Sequence, residues 1–403
     1  LPDTPSSVPP FTHSQMGSDH SKGHKSPSAA ATAAGGGAKQ QPPSPPAKAV
    51  SPIWQQRLHL LTDGANELTR AHFDQFGDDY GDLLWEYFTE GDRSTTVSLD
   101  RFAHKATPLF GSSTDVYVKI AGGGENLLRI SSGLVDCAPN EETDEIYQNV
   151  LQDMKSFGDD WNAAVEWKHA EAARAADPLQ LRFHAAFSTI PVPSVPASHI
   201  VSPFCMFFLR AAIPPSYLPP QNTEWSILYS SVTSGMSTSR FESCVFGYKS
   251  RTLTLMRTGR GLFAIGADQE WRHSLSPFGG ADAFCMRLSP GPIARHTGAS
   301  SLHCNLKVRA SKMGISWKGG VDLDLDKDLS QVLEMEVWAC GGSKHLEEHA
   351  KLKVWQKNQT EKLKKVPLPG NWDDNADKTI LEMAGFQFSN ERNNDPKPEE
   401  RRE

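Results

Sequence analysis

Among its six cysteines the 403-residue sequence has no CxxC pair, no His stands at zinc-ligand spacing, and no apolar run is long enough to cross a bilayer. Each absence excludes something. A structural zinc site needs four N or S ligands, most of them closely spaced, whereas Cys137, Cys205, Cys244, Cys285, Cys304 and Cys340 are scattered singly. They read as reduced core thiols of a cytosolic protein, with disulfides as the lesser alternative. A membrane helix needs about 20 apolar residues, and the best attempt, 200–213, is broken by Pro203 and Arg210. An excess of positive charge is missing too: 41 basic against 48 acidic residues leave −7, which gives no basis for nucleic-acid binding. The composition is that of a soluble protein.

Catalytic constellations are equally scarce. Gly122, Gly123 and Gly124 lack the Lys-Ser/Thr of a phosphate loop and read as a flexible connector. His303 and Cys304 are adjacent, so on a strand they point to opposite faces. Glu270, Glu334 and Glu336 are isolated acids. No nucleophile with a base, metal cluster or cofactor cradle emerges, so no catalytic residue, metal or cofactor is expected.

What the chain does have is a long stretch of period-two patterning. From 222 to 342, Trp225, Ile227 and Tyr229 alternate with polar neighbours, followed by Leu253/Leu255, Phe263/Ile265 and Phe284/Met286/Leu288. Leu302, Cys304, Leu306 and Val308 then alternate with His303, Asn305, Lys307 and Arg309, and Leu333, Met335, Val337 and Ala339 with Glu334 and Glu336. Such alternation predicts one buried row and one row in water, hence a mainly antiparallel two-sheet sandwich. One helix interrupts it, with Phe241, Cys244, Val245 and Tyr248 on one face after cap oxygens at 237–239. The fold class is α+β.

Within this stretch stand Trp225-Ser-Ile-Leu-Tyr-Ser-Ser231, Phe241, Gly261-Leu-Phe-Ala-Ile265, Glu270-Trp271, Phe278-Gly279 before Phe284, and Glu336-Val-Trp-Ala-Cys-Gly341. On these residues the chain resembles the TLDc-domain, or oxidation-resistance, family. Through Lys318-Gly-Gly-Val-Asp-Leu-Asp-Leu-Asp-Lys-Asp-Leu329 and the long segment after the domain, it is most similar to the mTOR-associated branch of that family.

The region before the sandwich is helical by period: Trp54, Leu58 and Leu61, then Phe73 to Phe88, then 141–157 and 159–175. Residues 90–102 have the outline of a calcium loop between two helices, with Val97 as the bridging apolar residue. Thr95 stands where the turn wants Gly, and Arg101 where a bidentate Glu belongs. An EF-hand-like helical pair without calcium is therefore expected. The run Asp322, Asp324, Asp326, Asp328 also lacks a calcium-loop Gly and reads as a strand end and turn.

Residues 1–50 are rich in Pro, Ser, Ala, Gly and Lys and predict a disordered tail. Inside it, Met16-Gly17-Ser-Asp-His-Ser21 fits N-myristoylation of Gly17 if Met16 initiates translation; the alternative is an unmodified tail. One acyl chain binds membranes only reversibly, so a second anchor is needed.

After the sandwich, a helix predicted from Ser343 to about Lys365 holds seven Lys against three Glu, a net +4. Its thin apolar stripe comprises Leu352, Trp355 and Leu363, beside Leu346, Ala350 and Val354, so the helix is expected to protrude. Pro367 and Pro369 end it, and a short second helix follows with Ile380, Leu381, Met383 and, past Gly385, Phe386. An apolar hook on such a tether suits a helix-in-groove ligand; the alternative is a helix folded back on the sandwich. The predicted organisation is a tail 1–50, a helical EF-hand-like domain 51–190, a Pro-rich linker 191–220 with Phe204 to Leu209 docking onto one of the domains it joins, a TLDc domain 221–342, a C-terminal helical arm 343–390 and a tail 391–403.

The resemblance implies a non-catalytic regulator that binds peripheral-sector subunits of the vacuolar proton pump (V-ATPase) and takes part in mTOR signalling. Components of the mTOR complex are further expected partners, and its place would be the cytoplasm and the surface of lysosomes. The alternative is a thiol-dependent redox enzyme using Cys244, Cys285 or Cys304.

Overall fold

In the computed structural model, described over residues 51–92, 96–140, 142–188, 195–218, 224–364 and 376–385, a six-stranded antiparallel sheet lies between two different coverings. Its strands are β1 (Ser226–Ser230), β2 (Thr252–Thr258), β3 (Gly261–Ala267), β4 (Phe284–Ser289), β5 (Ala294–Thr297) and β9 (Val332–Ala339), in the order β1-β9-β2-β3-β4-β5. A three-stranded antiparallel sheet, β6 (Leu302–Asn305), β7 (Gly314–Trp317) and β8 (Asp324–Leu325), covers one face. Met256, Phe263, Ile265, Met335 and Val337 of the large sheet meet Leu302, Cys304, Ile315, Trp317 and Leu325 there in one core.

The opposite face is where the reading of one dry and one wet row is corrected. Leu253, Leu255, Ala264, Phe284, Met286, Leu288 and Trp338 belong to a second core shared with the helices. Thr252 and Thr254 are buried as well. The apolar rows thus face both ways, those of β3 and β9 toward the small sheet and those of β2 and β4 toward the preceding helices, so both faces of the large sheet are covered and neither row lies in water. Two strand ends also depart from expectation. Strand β6 stops at Asn305, leaving Val308 in an exposed loop while His303 and Asn305 are buried. In β9 the register shifts near its start, Leu333 faces solvent, and Glu336 is fully buried.

The helices before the sheet are α1 (Pro52–Leu61), α2 (Asp78–Thr89), α3 (Leu99–Ala106), α4 (Asp115–Ala121), α5 (Gly124–Gly133), α6 (Glu145–Lys155), α7 (Trp161–Glu171), α8 (Asp177–Ala185) and α9 (Pro203–Ala212). Between α1 and α2, a 3-10 segment spans Arg70–Phe76. The loop between α2 and α3 joins the one after α1 through a bridge between Val97 and Leu68. Arg101 reaches back to Glu90 and Asp92 at 3.7 and 4.0 Å, and Lys105 also pairs with Glu90. Cationic side chains thus occupy the surroundings of this loop's acids. The three glycines 122–124 are not a flexible connector. Gly122 ends α4 in the left-handed region (φ 78°) and Gly124 opens α5, where a Cβ would come within 2.6 Å of Met154 Sδ. They form a tight helix-to-helix turn.

Over its described part, 195–218, the Pro-rich linker segment is built into the core. Helix α9 is apolar all round, with Phe204, Cys205, Met206, Phe207, Phe208 and Leu209 all buried, as a central helix must be. Ser202 caps it by accepting from Cys205 N (3.1 Å) and donates to Asp144 (2.6 Å), which itself caps α6 through Ile146 N and Tyr147 N. The Arg174 guanidinium closes the other end of α9 on the Arg210 and Ile213 carbonyls. Buried Glu336 accepts from Ser198 Oγ (2.6 Å) and His199 N (3.0 Å), fastening the entry to α9 onto β9. Asn149 likewise ties α6 to the Leu288 carbonyl of β4. The described helices and strands lie in one compact unit.

The remaining helices are α10 (Ser231–Ser234), α11 (Thr238–Val245), α12 (Ser343–Lys364) and α13 (Ala376–Met383). Among the described residues no helix is long and apolar enough to cross a membrane.

Candidate partner-binding surface

Helix α12 leaves the sheet directly after β9 and changes character half-way along. In its first half, His345, Leu346, His349, Leu352 and Lys353 recur at spacings of three and four and form the half-buried or buried stripe. This stripe rests on the turn after α11. Leu352 lies over Gly247, whose φ of 89° and lack of a side chain make room for it: a Cβ would come within 2.7 Å of Leu352 Cδ2. The His349 ring meets Tyr248 edge-on at 5.7 Å. Lys353 Nζ donates to the Phe246 carbonyl at 2.6 Å, a cation placed on the C-cap of α11 where the helix dipole favours it. Tyr248 in turn accepts from Gly341 N (2.9 Å), locking the point at which α12 departs.

From Val354 onward the second half is nearly all exposed, with Val354 at 60 % and Trp355 at 58 %. Lys357 and Lys362 keep it basic. In helix α13, among the described side chains, Lys378 is the buried one, whereas Ile380, Leu381 and Met383 are exposed, Met383 at 85 %.

The sequence-derived binding residues therefore divide. Trp355, Ile380, Leu381 and Met383 face outward. Leu352 belongs to the stripe that fastens α12 to the domain, so the helix projects only in its second half. The Leu363 side chain, Phe386 and Gly17 lie outside the described residues. Sequence reasoning missed His349 and Lys353 as docking residues, because polar side chains at helical spacing look like a solvated face. Their only signal was the aligned His-x3-His-x3-Lys spacing of 345, 349 and 353.

Groups with chemical potential lie elsewhere and do not converge. Among the described residues no cluster of three His, Cys, Asp or Glu is placed to hold a metal. Burial pushes the Cys137 thiol up to about 11, and those of Cys205, Cys285, Cys304 and Cys340 higher still. Cys244 is the partly exposed one. His303 is buried with Nδ1 unpartnered, and burial lowers its pKa. A cavity of about 160 Å³ between α8 and α9 is lined by Arg174, Asp177, Phe207, Arg210 and apolar neighbours. Burial there pushes Asp177 up to about 6 against the pull of Arg174 and Lys168.

Residues 196–354 match the family model of the TLDc domain. These limits coincide with structural joints. The match opens just before Ser198, the tie to Glu336, and closes at Val354, one residue past the last docked contact of α12. Among curated proteins, 99 residues are 34 % identical to Restriction of telomere capping protein 5 of Zygosaccharomyces rouxii, covering 24 % of this chain and 17 % of that one. Sixty residues are 37 % identical to the protein of the same name from Colletotrichum graminicola, covering 15 % and 10 %. The chain thus spans about a sixth or less of the length of the curated relatives it matches.

Proposed function

We propose that this chain, a TLDc-domain protein by the match over residues 196–354, is a non-catalytic regulator that grips a larger assembly through its C-terminal helices. The observation that carries the reading is the outward display of Trp355, Ile380, Leu381 and Met383 on helices beyond the end of the matched domain. Large apolar side chains exposed on amphipathic helices are the anchors of helix-in-groove contacts. Helices α12 and α13 then act as an arm whose root is clamped by Leu352, His349 and Lys353 and whose far half is left to a partner.

Through the family resemblance, the partner proposed is the peripheral sector of the vacuolar proton pump, with a part in mTOR signalling on the lysosomal surface. A myristoyl group on Gly17 would supply one anchor and the pump the second. The helix pair around Leu68 and Val97 is read as EF-hand-like, its acids held by Arg101 and Lys105 instead of calcium. The thiol-enzyme alternative finds no support in side-chain placement, since reactive thiols need exposure and a lowered pKa, and five of the six are buried.

The test is a pull-down of purified peripheral sector with full-length chain and with a chain ended after Gly370. Loss of capture with an unchanged near-UV spectrum and melting temperature is expected. Equal capture would contradict α13 as part of the grip.

A further inference from the structure

We propose that protonation of His349 releases α12 from the TLDc domain, so that the root of the arm is a pH-sensitive latch. The inference concerns regulation of the surface described above. Its consequence for partner binding rests on that reading, while the latch itself does not.

His349 is the most deeply buried residue of the docked stripe, at 9 % exposure. Its ring stands edge-on to Tyr248, and its Nε2 is buried with no hydrogen-bond partner. A neutral imidazole tolerates this, leaving a lone pair unused. A protonated one would present a charged N–H where water is excluded and where the nearby carbonyl, that of Phe246, already accepts from Lys353 Nζ, which is far costlier.

Groups of both signs surround the ring. On its own helix, Lys353 lies one turn on, with its ammonium held at the Phe246 carbonyl, and His345 lies one turn back, 3.7 Å from Glu348. From the α11 turn come Tyr248, the Phe246 carbonyl and, facing Lys353, Cys244. From the loop after β3 comes Glu270, which with the Phe246 carbonyl favours the charged ring. Burial and Lys353 outweigh them, and the docked pKa is lowered from the ordinary 6.5. Lys353 is itself lowered by burial, so a second positive charge one turn away meets an ammonium already short of solvent.

The sign follows by linkage. The undocked helix binds the proton more tightly, so docking is complete above about pH 6.5 and weakens as pH falls from there toward the lowered docked pKa. Each unit between the two pKa values corresponds to roughly tenfold in the docking equilibrium. Val354 to Lys364 would then be freed from a fixed direction, which alters how the arm meets a partner without altering the arm itself.

The experiment is hydrogen exchange on the full-length chain between pH 7.5 and 5.0, without any partner. Amides 346–354 are read as a ratio to those of β2 so that the intrinsic pH dependence of exchange cancels. A several-fold fall in relative protection is expected in the unaltered protein. The His349→Gln variant should hold constant protection across the range, and His349→Lys should be poorly protected throughout. A flat ratio in the unaltered protein, or an equally steep one in His349→Gln, would overturn the latch. Should His349→Gln fail to dock, the His349 Cε1 proton in the unaltered chain decides: an NMR midpoint below 6.5 supports the latch, and one at or above 6.5 overturns it.

Discussion

Leu68 and Val97 exchange both backbone hydrogen bonds of an isolated antiparallel bridge, Leu68 N to Val97 O at 3.1 Å and Val97 N to Leu68 O at 2.8 Å. Both side chains are fully buried in the core that runs from the first helices to the large sheet. The bridge is thus a fastening between two loops and also part of the support beneath the TLDc sheet.

Shortening one side chain should therefore be felt by the whole unit. Val97→Ala is expected to cost about 2 kcal/mol of unfolding free energy. Val97→Pro, which also removes the N–H donated to Leu68, is expected to cost at least about 3 kcal/mol. Urea unfolding followed by tryptophan fluorescence and by far-UV circular dichroism checks both. A single transition shifted equally in the two signals is expected, since helices and strands share the core. A shift confined to the helical signal would mean that the two regions fold apart.

The thiols offer a second check. Cys137, Cys205, Cys285, Cys304 and Cys340 are buried, and burial raises the pKa of each. At pH 8 a thiol-exchange reagent should modify one cysteine quickly in the native protein, Cys244, and all six in denaturant. Loss of the rapid phase in Cys244→Ser identifies it. Rapid modification of two or more native thiols would reopen the redox reading. Peroxide consumption by native protein that disappears on joint replacement of Cys244, Cys285 and Cys304 would establish it.

What was legible in the sequence follows from what local patterning encodes. Period-two alternation at Phe263/Ile265 and Met335/Val337 located the strands, and the Phe241/Val245/Tyr248 spacing located the helix between β1 and β2. Patterning cannot say what lies across from a face. Whether Glu336 is solvated or hydrogen-bonded stayed open in the sequence because its partners, Ser198 and the His199 amide, lie more than a hundred residues earlier. Helix α9 was expected to dock onto one of the domains its Pro-rich segment joins, and its all-round apolar surface is buried in the core that the helices share with the large sheet. At the candidate surface, Trp355, Ile380, Leu381 and Met383 were found from their apolar type at helical spacing. Leu352 has the same type and spacing, yet it is docked, because only the fold brings Gly247 beneath it. His349 and Lys353 were missed for the converse reason: their docking roles depend on Tyr248 and the Phe246 carbonyl, contributed by another element.

The most direct measurement is the affinity of purified pump peripheral sector for single-site variants of the full-length chain, by titration calorimetry. Trp355→Asp and Met383→Asp are expected to weaken binding at least about tenfold, the loss typical of removing an anchoring side chain. Leu333→Asp, equally apolar and 63 % exposed but on β9, should leave it unchanged. Undiminished affinity in both helix variants, or a loss confined to Leu333→Asp, would contradict the C-terminal helices as the gripping element.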